Sequence, residues 1–229
     1  MLGDMGWYKL SLERNISALR LWNRICQMDD SRLTKMVFHS DVERCNNNWA
    51  SRVKSLLDKL GHSHQFVHEQ VVSLDDSSCI LRENEETEWK NAVKGLPKLR
   101  TYSLFKTNFG VEDYVQYSLC RQKRSYMAQF RLGILPINVE IGRFRNIALT
   151  ERKCEICTTE IEDEIHFLLD CSLYNPEREK LFGIAAQNSI NFINFSKDDK
   201  FSYLMQNVWK DTARFIVGSY KKRTRNSYV

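Results

Sequence analysis

Proline and glycine are scarce in this sequence, since 229 residues include three prolines and nine glycines. An all-β sandwich needs many turns, so the scarcity argues against that fold class and favours helices. Hydrophobic runs are also short, and none approaches the roughly 18 residues that a membrane span requires. We therefore predict a mainly α protein that does not interact with a membrane.

A targeting segment is also missing, because the first residues, Met1 to Asp4, carry no secretory signal. We expect an intracellular protein, in the cytoplasm, the nucleus or both. Thiols stay reduced in these compartments. The seven cysteines are therefore expected to be free thiols or metal ligands and not a disulfide framework.

Apolar residues recur every three or four positions in the first quarter of the chain, which is the period of an amphipathic helix. The clearest stripe includes Trp49, Val53 and Leu56, and Gly61 follows its end. Helices this close in sequence favour an antiparallel arrangement. We predict a small helical bundle at residues 1–61.

The rest of the chain is predicted to contain an acidic linker with a helix, residues 62–95, and a larger region, residues 96–229. The larger region begins with a long basic helix that Gly133 ends and Pro136 cannot continue. Residues 134–147 fit a short hairpin or an extended segment. Further helices follow a cysteine-rich stretch and complete the chain.

Charge is distributed unevenly, although the total is only +5. Residues 96–153 carry a net charge of +7 and residues 200–229 carry +6, whereas residues 154–199 between them carry −7. Two basic blocks around an acidic one are typical of a protein that binds a polyanion. Solvated helix faces of uneven charge would give the same totals, so charge alone leaves both interpretations open.

The cysteine-rich stretch has the spacing of a metal site, C-x2-C-x8-H-x4-C. Its residues are Cys154, Cys157, His166 and Cys171. Three thiolates and one imidazole would complete a tetrahedron around Zn²⁺ and leave no open position, so we predict a structural zinc site without catalytic chemistry. The alternative is a set of buried thiols beside a core histidine.

The residues around this site form a series of motifs: AQFRLG at 128–133, GRF at 142–144, ERxCxxC at 151–157 and EDExHFLLxCxxYxxxR at 162–178. This series resembles the C-terminal region of LINE-type (non-LTR) retrotransposon polyproteins, downstream of the reverse transcriptase. The stretches 19–24 and 30–35 are similar to the region that links polymerase and zinc knuckle there. The metal-binding loop is longer than the C-x2-C-x4-H-x4-C of retroviral knuckles, so their nucleic-acid contacts do not transfer.

The resemblance implies a non-catalytic domain that helps to hold RNA or DNA near a polymerase. Such a role needs cations for phosphates and aromatic rings for bases. The candidate residues are Arg121, Lys123, Arg124 and Arg131 on the basic helix, Arg143 and Arg145 on either side of Phe144, and Arg152 and Lys153 beside the first cysteine. Each of them could instead be solvated or paired with the acidic segment 154–164.

Polymerase activity is not expected. A reverse transcriptase holds two Mg²⁺ with carboxylates, one pair of which follows an aromatic residue in an aromatic-x-Asp-Asp turn. The Asp-Asp pairs at 29–30, 75–76 and 198–199 lack that aromatic residue. The chain is also too short for polymerase and endonuclease domains. We therefore expect a detached fragment of such an element that is not an enzyme.

Two other functions remain open at the level of sequence. The stripes that contain Trp49 and Leu56, and Trp209 and Phe215, could dock on a protein partner such as the reverse transcriptase polypeptide. The chain could also be an inactive remnant of a retroelement. Nucleic-acid binding that weakens steeply with salt would favour the nucleic-acid-binding role over both of these alternatives.

Overall fold

A computed structural model describes residues 2–44 and 47–226. These residues contain helices, two isolated β-bridges and no strand, so the prediction of a mainly α fold is confirmed. In chain order the α-helices are α1 (Leu2–Met5), α2 (Leu10–Cys26), α3 (Leu33–Arg44), α4 (Trp49–Lys59), α5 (Ser63–Val67), α6 (Leu74–Gly95), α7 (Tyr102–Phe105), α8 (Asp113–Gln116), α9 (Arg121–Arg131), α10 (Asn138–Phe144), α11 (Asn175–Asn188), α12 (Lys197–Gln206) and α13 (Trp209–Asn226).

The helices form two compact units. The N-terminal unit contains the described residues of 8–89, and the C-terminal unit contains those of 1–7 and 90–229. No helix in the described residues is both long and apolar enough to cross a membrane.

The N-terminal unit has its core around Trp22, which is fully buried on α2. The Trp22 ring stacks on Phe66 at a centroid distance of 5.3 Å and meets the edge of Phe38 at 5.7 Å. Helix α4 begins where the side chain of Asn48 accepts a hydrogen bond from the Ser51 amide, as an N-cap residue should. The helices that the apolar stripes predict in this region are therefore present.

The acidic linker predicted to start at residue 62 is part of this same core. Val72 is buried, and the amide side chain of Asn23 bonds both its N–H and its carbonyl at 2.9 and 2.8 Å. The indole N–H of Trp22 donates to the carbonyl of Gln70 at 3.1 Å. The linker prediction is therefore wrong, because the segment packs through single apolar residues and backbone hydrogen bonds that leave no periodic pattern.

The C-terminal unit includes a buried charged network that joins α1 to residues far along the chain. Asp4 accepts hydrogen bonds from the hydroxyls of Tyr102 and Tyr114, the latter at 2.7 Å, and pairs with Arg131 at 3.2 Å. Arg131 also pairs with Glu112 at 2.6 Å. This network explains why the start of the chain belongs to the C-terminal unit, although it was predicted to belong to the first bundle.

The hairpin predicted at residues 134–147 is absent, because this segment forms helix α10. Two backbone amides at the start of α10, those of Asn138 and Val139, donate to the side chain and the carbonyl of Glu162 at 2.8 and 3.0 Å. These bonds satisfy N–H groups that a helix start leaves without partners. The prediction failed because the cap is supplied from 24 residues away.

The predicted docking stripes are mostly engaged inside the two units. Leu56 is buried in the N-terminal unit, and Trp209 and Phe215 are buried in the C-terminal unit. The rings of Phe215 and Phe167 pack edge to face, with their centroids 6.2 Å apart. These side chains stabilise the helices that carry them and do not form an exposed apolar face.

Candidate metal centre and basic surface

The first two cysteines of the metal motif lie in a tight loop. The amide of Cys154 donates to the carbonyl of Glu160 at 2.9 Å, and Lys153 forms an antiparallel bridge with Ile161. Within the loop, the Thr158 amide donates to the Cys154 carbonyl at 2.8 Å, and Thr158 itself has a positive φ of 59°. This left-handed residue turns the chain back towards Glu160 and Ile161.

The other two members of the motif lie at the ends of a π-helical turn, His166–Asp170. The amide of Cys171 donates to the carbonyl of His166 at 2.8 Å, so residues five apart are directly linked. The side chain of Asp163 accepts from the His166 amide at 2.8 Å and helps to fix the start of the turn. The wide π-helical turn thus places the imidazole of His166 and the thiol of Cys171 on the same side of the turn.

The structure brings all four predicted ligands together. Their donor atoms lie within 4.8 Å of one another, and three of the four residues are buried. The Sγ of Cys171 lies 3.8 Å from that of Cys154 and 4.0 Å from that of Cys157, much longer than a disulfide bond. The cluster of Cys154, Cys157, His166 and Cys171 can therefore hold a metal ion.

The two ring nitrogens of His166 have different surroundings. Its Nδ1 lies 2.8 Å from a carboxylate oxygen of Glu160, whereas its buried Nε2 has no hydrogen-bond partner among the described residues. A carboxylate on one nitrogen is the usual second partner of a metal-binding histidine, because it orients the ring and raises its basicity. Nε2 is therefore the nitrogen that a metal ion would bind.

The electrostatics of the cluster favour a thiolate. The neighbouring thiol of Cys171 holds the pKa of Cys154 well below its usual range, although burial acts in the opposite direction. Thiolates are the form of cysteine that binds metal ions. Nearby, burial raises the pKa of Glu164 to about 7 despite its 2.6 Å ion pair with Arg100.

Arg178 positions the second half of the cluster from outside. This buried side chain donates from Nε to the carbonyl of Leu168 at 2.9 Å and from Nη2 to that of Cys171 at 2.7 Å. It thereby satisfies two carbonyls at the end of the π-helical turn. Arg178 is the last residue of the longest sequence motif, but its role could not be predicted, since nothing in the spacing shows which way the side chain turns.

The basic end of α13 also belongs to this site. Arg223 pairs with the buried carboxylate of Glu162 at 2.7 Å, and Lys222 donates to the carbonyl of Leu173 at 2.8 Å. Both side chains therefore have partners within the C-terminal unit, and neither is a freely solvated cation. Glu162 itself lies between the loop cysteines and His166.

Three of the eight cations predicted to contact nucleic acid each make two or more hydrogen bonds or ion pairs within the protein. Arg131 is 1% exposed and pairs with Asp4 and Glu112, so its prediction as a nucleic-acid contact is wrong. Arg152 donates to the carbonyls of Val139 and Ile147, which makes it a structural residue instead of a phosphate ligand. Arg143 stays exposed but makes two bonds, at 2.9 and 2.7 Å, to Glu140.

The other five have no carboxylate at ion-pair distance in the part of the chain that the structure describes. They are Arg121, Lys123, Arg124, Arg145 and Lys153. All but Lys123 are exposed, and Lys123 is partly buried. Helix α9, which carries three of them, contains no acidic residue.

The N-terminal part of α9 lies beside the last turns of α13. Lys221 donates to the side chain of Gln122 at 3.2 Å, and the rings of Tyr126 and Tyr220 are 5.3 Å apart. This contact adds two exposed cations from the last turns of α13 to the cations of α9. We call this set the basic surface, and its members are Arg121, Lys123, Arg124, Lys221 and Arg225.

Comparisons of the chain with protein-family models, with curated proteins and with solved structures find no match.

Proposed function

We propose that the C-terminal unit is a non-catalytic nucleic-acid-binding domain stabilised by Zn²⁺, related to the segment that follows the polymerase in LINE-type retroelements. The basic surface carries this proposal. It presents five cations from two packed helices, and no carboxylate among the described residues pairs with them. Affinity for nucleic acids depends mainly on such cations, since each phosphate contact releases condensed counterions.

Zinc is the metal that the cluster suits best. Two thiolates bound at about 2.3 Å to one tetrahedral zinc ion are about 3.8 Å apart. The sulfur separations of 3.8 and 4.0 Å agree with this value. Three thiolates and one imidazole leave no coordination position for water, so the ion would stabilise the fold and would not activate a substrate.

The contacts around the cluster extend this stabilisation to the basic surface. The side chain of Asn138 on α10 donates to the carbonyl of Lys153 at 2.7 Å, next to the first cysteine. Glu162, between the two halves of the cluster, pairs with Arg223 on α13. A metal ion at the cluster would thereby fix the end of α13 that contributes Lys221 and Arg225.

The test is binding of a fluorescent single-stranded RNA across a salt series. A triple variant, Arg121→Gln, Arg124→Gln and Lys221→Gln, should bind more weakly, and the log–log salt slope should fall by about 0.7 for each phosphate that is no longer neutralised. The control, Arg14→Gln, Arg20→Gln and Arg24→Gln, removes the same charge from exposed positions of α2. It should bind nearly as the unmodified protein does.

Cys157→Ser should also weaken binding, because it removes one metal ligand while it leaves the basic surface unchanged in sequence. Absence of binding at low salt by folded, metal-loaded protein would contradict the proposal. Equal reductions of affinity in the two triple variants would contradict the assignment of binding to the basic surface.

A further inference from the structure

Phe144 is an aromatic side chain presented almost entirely to solvent. It is 73% exposed, the highest value for an aromatic residue in the described part of the chain. It is the last residue of α10, and α10 is joined to the loop of the metal cluster through Asn138 and Lys153. Leaving a phenyl ring in water gives up the free energy of burial, so nothing in the packing of the unit accounts for it.

The surroundings of the ring are cationic. The guanidinium of Arg143 lies 4.7 Å from the ring centroid, where its planar group is held by the bidentate pair with Glu140. Arg145, on the other side in sequence, is exposed and has no ion pair among the described residues. Arg143 is therefore a fixed, neutralised neighbour of the ring, and Arg145 is an available cation.

The backbone that carries Phe144 is held firmly. A Cβ on Gly142 would lie 2.5 Å from Cγ of Arg152, so this arginine packs directly against α10. The guanidinium of Arg152 then bonds the carbonyl of Val139, at the start of α10, and that of Ile147, just after it, at 2.7 to 3.0 Å. The backbone that carries the ring is thus already ordered, which reduces the entropy that this segment would lose on binding.

We propose that Phe144 is a stacking platform for one unpaired base of single-stranded nucleic acid, with Arg145 on an adjoining phosphate. This inference rests on the proposed function and deepens it, because the basic surface alone would attract single strands and duplexes alike. A phenyl ring can stack only on a base that is not already stacked inside a duplex. The available cation beside the ring, Arg145, favours this ligand over an apolar protein surface.

The experiment compares Phe144→Ala, Phe144→Leu and Phe144→Trp for affinity to single-stranded RNA, single-stranded DNA and duplex DNA of one sequence. Stacking on one aromatic ring contributes enough that the alanine and leucine variants should bind both single strands about tenfold more weakly. Binding to the duplex, the salt dependence and the metal content should not change. The tryptophan variant should keep its affinity, and single strands should quench its fluorescence.

Leu149→Ala is the matched control, because Leu149 is a large, exposed apolar residue five positions away. It should bind all three ligands as the unmodified protein does. Unchanged single-strand affinity in Phe144→Ala would overturn the inference, and so would an equal reduction of affinity for the duplex. Retained affinity in Phe144→Leu would also overturn it, since it would indicate a simple apolar contact such as a protein would make.

The two proposals fail in different ways. If the unmodified protein binds single strands with a steep salt dependence while the Phe144 variants have no effect, the stacking inference is wrong and the proposed function stands. If the folded, metal-loaded protein binds no nucleic acid at low salt, both are wrong.

Discussion

At the scale of single residues, the position of a carboxylate beside His166 decides which ring nitrogen faces the thiols. Glu160 is exposed, yet one of its carboxylate oxygens lies 2.8 Å from Nδ1, so Nε2 is the nitrogen left for a metal ion. The motif predicts the ligands themselves from their types and spacing. It does not predict Glu160, because several acidic residues stand nearby and only the folded loop shows which one reaches the ring.

Glu160→Gln should weaken metal binding. A neutral amide cannot raise the basicity of the imidazole as a carboxylate does, and changes of this kind typically reduce metal affinity about 10- to 100-fold. Competition with a chromophoric chelator measures the effect. Glu155→Gln is the control, because Glu155 is exposed on the same loop and has no ion pair among the described residues. Equal affinities in the two variants would show that Glu160 does not orient His166.

Asp4→Asn should destabilise the protein and change its pH dependence. Burial raises the pKa of Asp4, but Arg131 and the two tyrosine hydroxyls lower it by more. The net pKa therefore lies below the ordinary value of 3.8. A lowered folded-state pKa stabilises the protein above the unfolded-state value, about 4, and this contribution is lost as pH falls through the folded-state pKa. Removing one partner from a buried charge pair costs about 3 kcal/mol or more at neutral pH.

Denaturant unfolding of Asp4→Asn and unmodified protein at pH 7 and at pH 3 tests this prediction. The difference in the free energy of unfolding should be large at pH 7 and smaller at pH 3. Asp113→Asn, at an exposed position of α8, should unfold nearly as the unmodified protein does at both values. A constant difference between pH 7 and pH 3 would show that the charge of Asp4 is not what stabilises the network.

At the scale of elements, helix α13 shows how one basic run can serve two purposes. Arg223 is paired with buried Glu162 and Lys222 is tied to α11 through Glu177 at 3.2 Å, whereas Lys221 and Arg225 are exposed. The sequence predicts the cluster of charge. It does not predict this division, because the pairing partners lie about 45 and 60 residues away on other elements.

Replacement of Arg223 and Arg225 by alanine should therefore have different effects. Arg223→Ala leaves the carboxylate of Glu162 buried without its cation and should cost about 3 to 5 kcal/mol of unfolding free energy. Arg225→Ala should change stability by less than about 0.5 kcal/mol, as substitutions of solvated surface residues usually do. Denaturant titrations of the two variants provide the comparison, and similar destabilisation in both would mean that the ion pair of Arg223 does not stabilise the unit.

Helix α10 is an element whose backbone structure depends on residues far away in the sequence. Its branched apolar residues and Gly142 resemble a strand pattern locally, and the hairpin prediction followed from that. The segment is helical because Glu162 caps it and Arg152 packs against its glycine, two interactions that a local pattern cannot contain. By contrast, α4 was predictable, since its cap, its stripe and its final glycine are all contiguous in sequence.

At the scale of the whole molecule, metal removal should affect the two units differently. In small metal sites the binding free energy is largely folding free energy, and the C-terminal unit contains the cluster. After chelation, hydrogen exchange should accelerate at the amides of Cys154, Glu162 and Cys171, whose backbone bonds hold the site. The amide of Leu60 in the N-terminal unit should keep its protection, and equal acceleration there would contradict the prediction.

The helical class of this protein and its candidate metal ligands can be predicted from the sequence alone. Both depend on local features: scarce proline and glycine, apolar periodicity, and thiol and imidazole groups at short, regular spacing. Three other features depend on contacts that only the folded chain makes: which cations remain available, which acidic residue orients His166, and why the start of the chain belongs to the C-terminal unit. The reason is physical, because a charged side chain looks the same in sequence whether it meets water or a buried partner 127 residues away, as Arg131 meets Asp4.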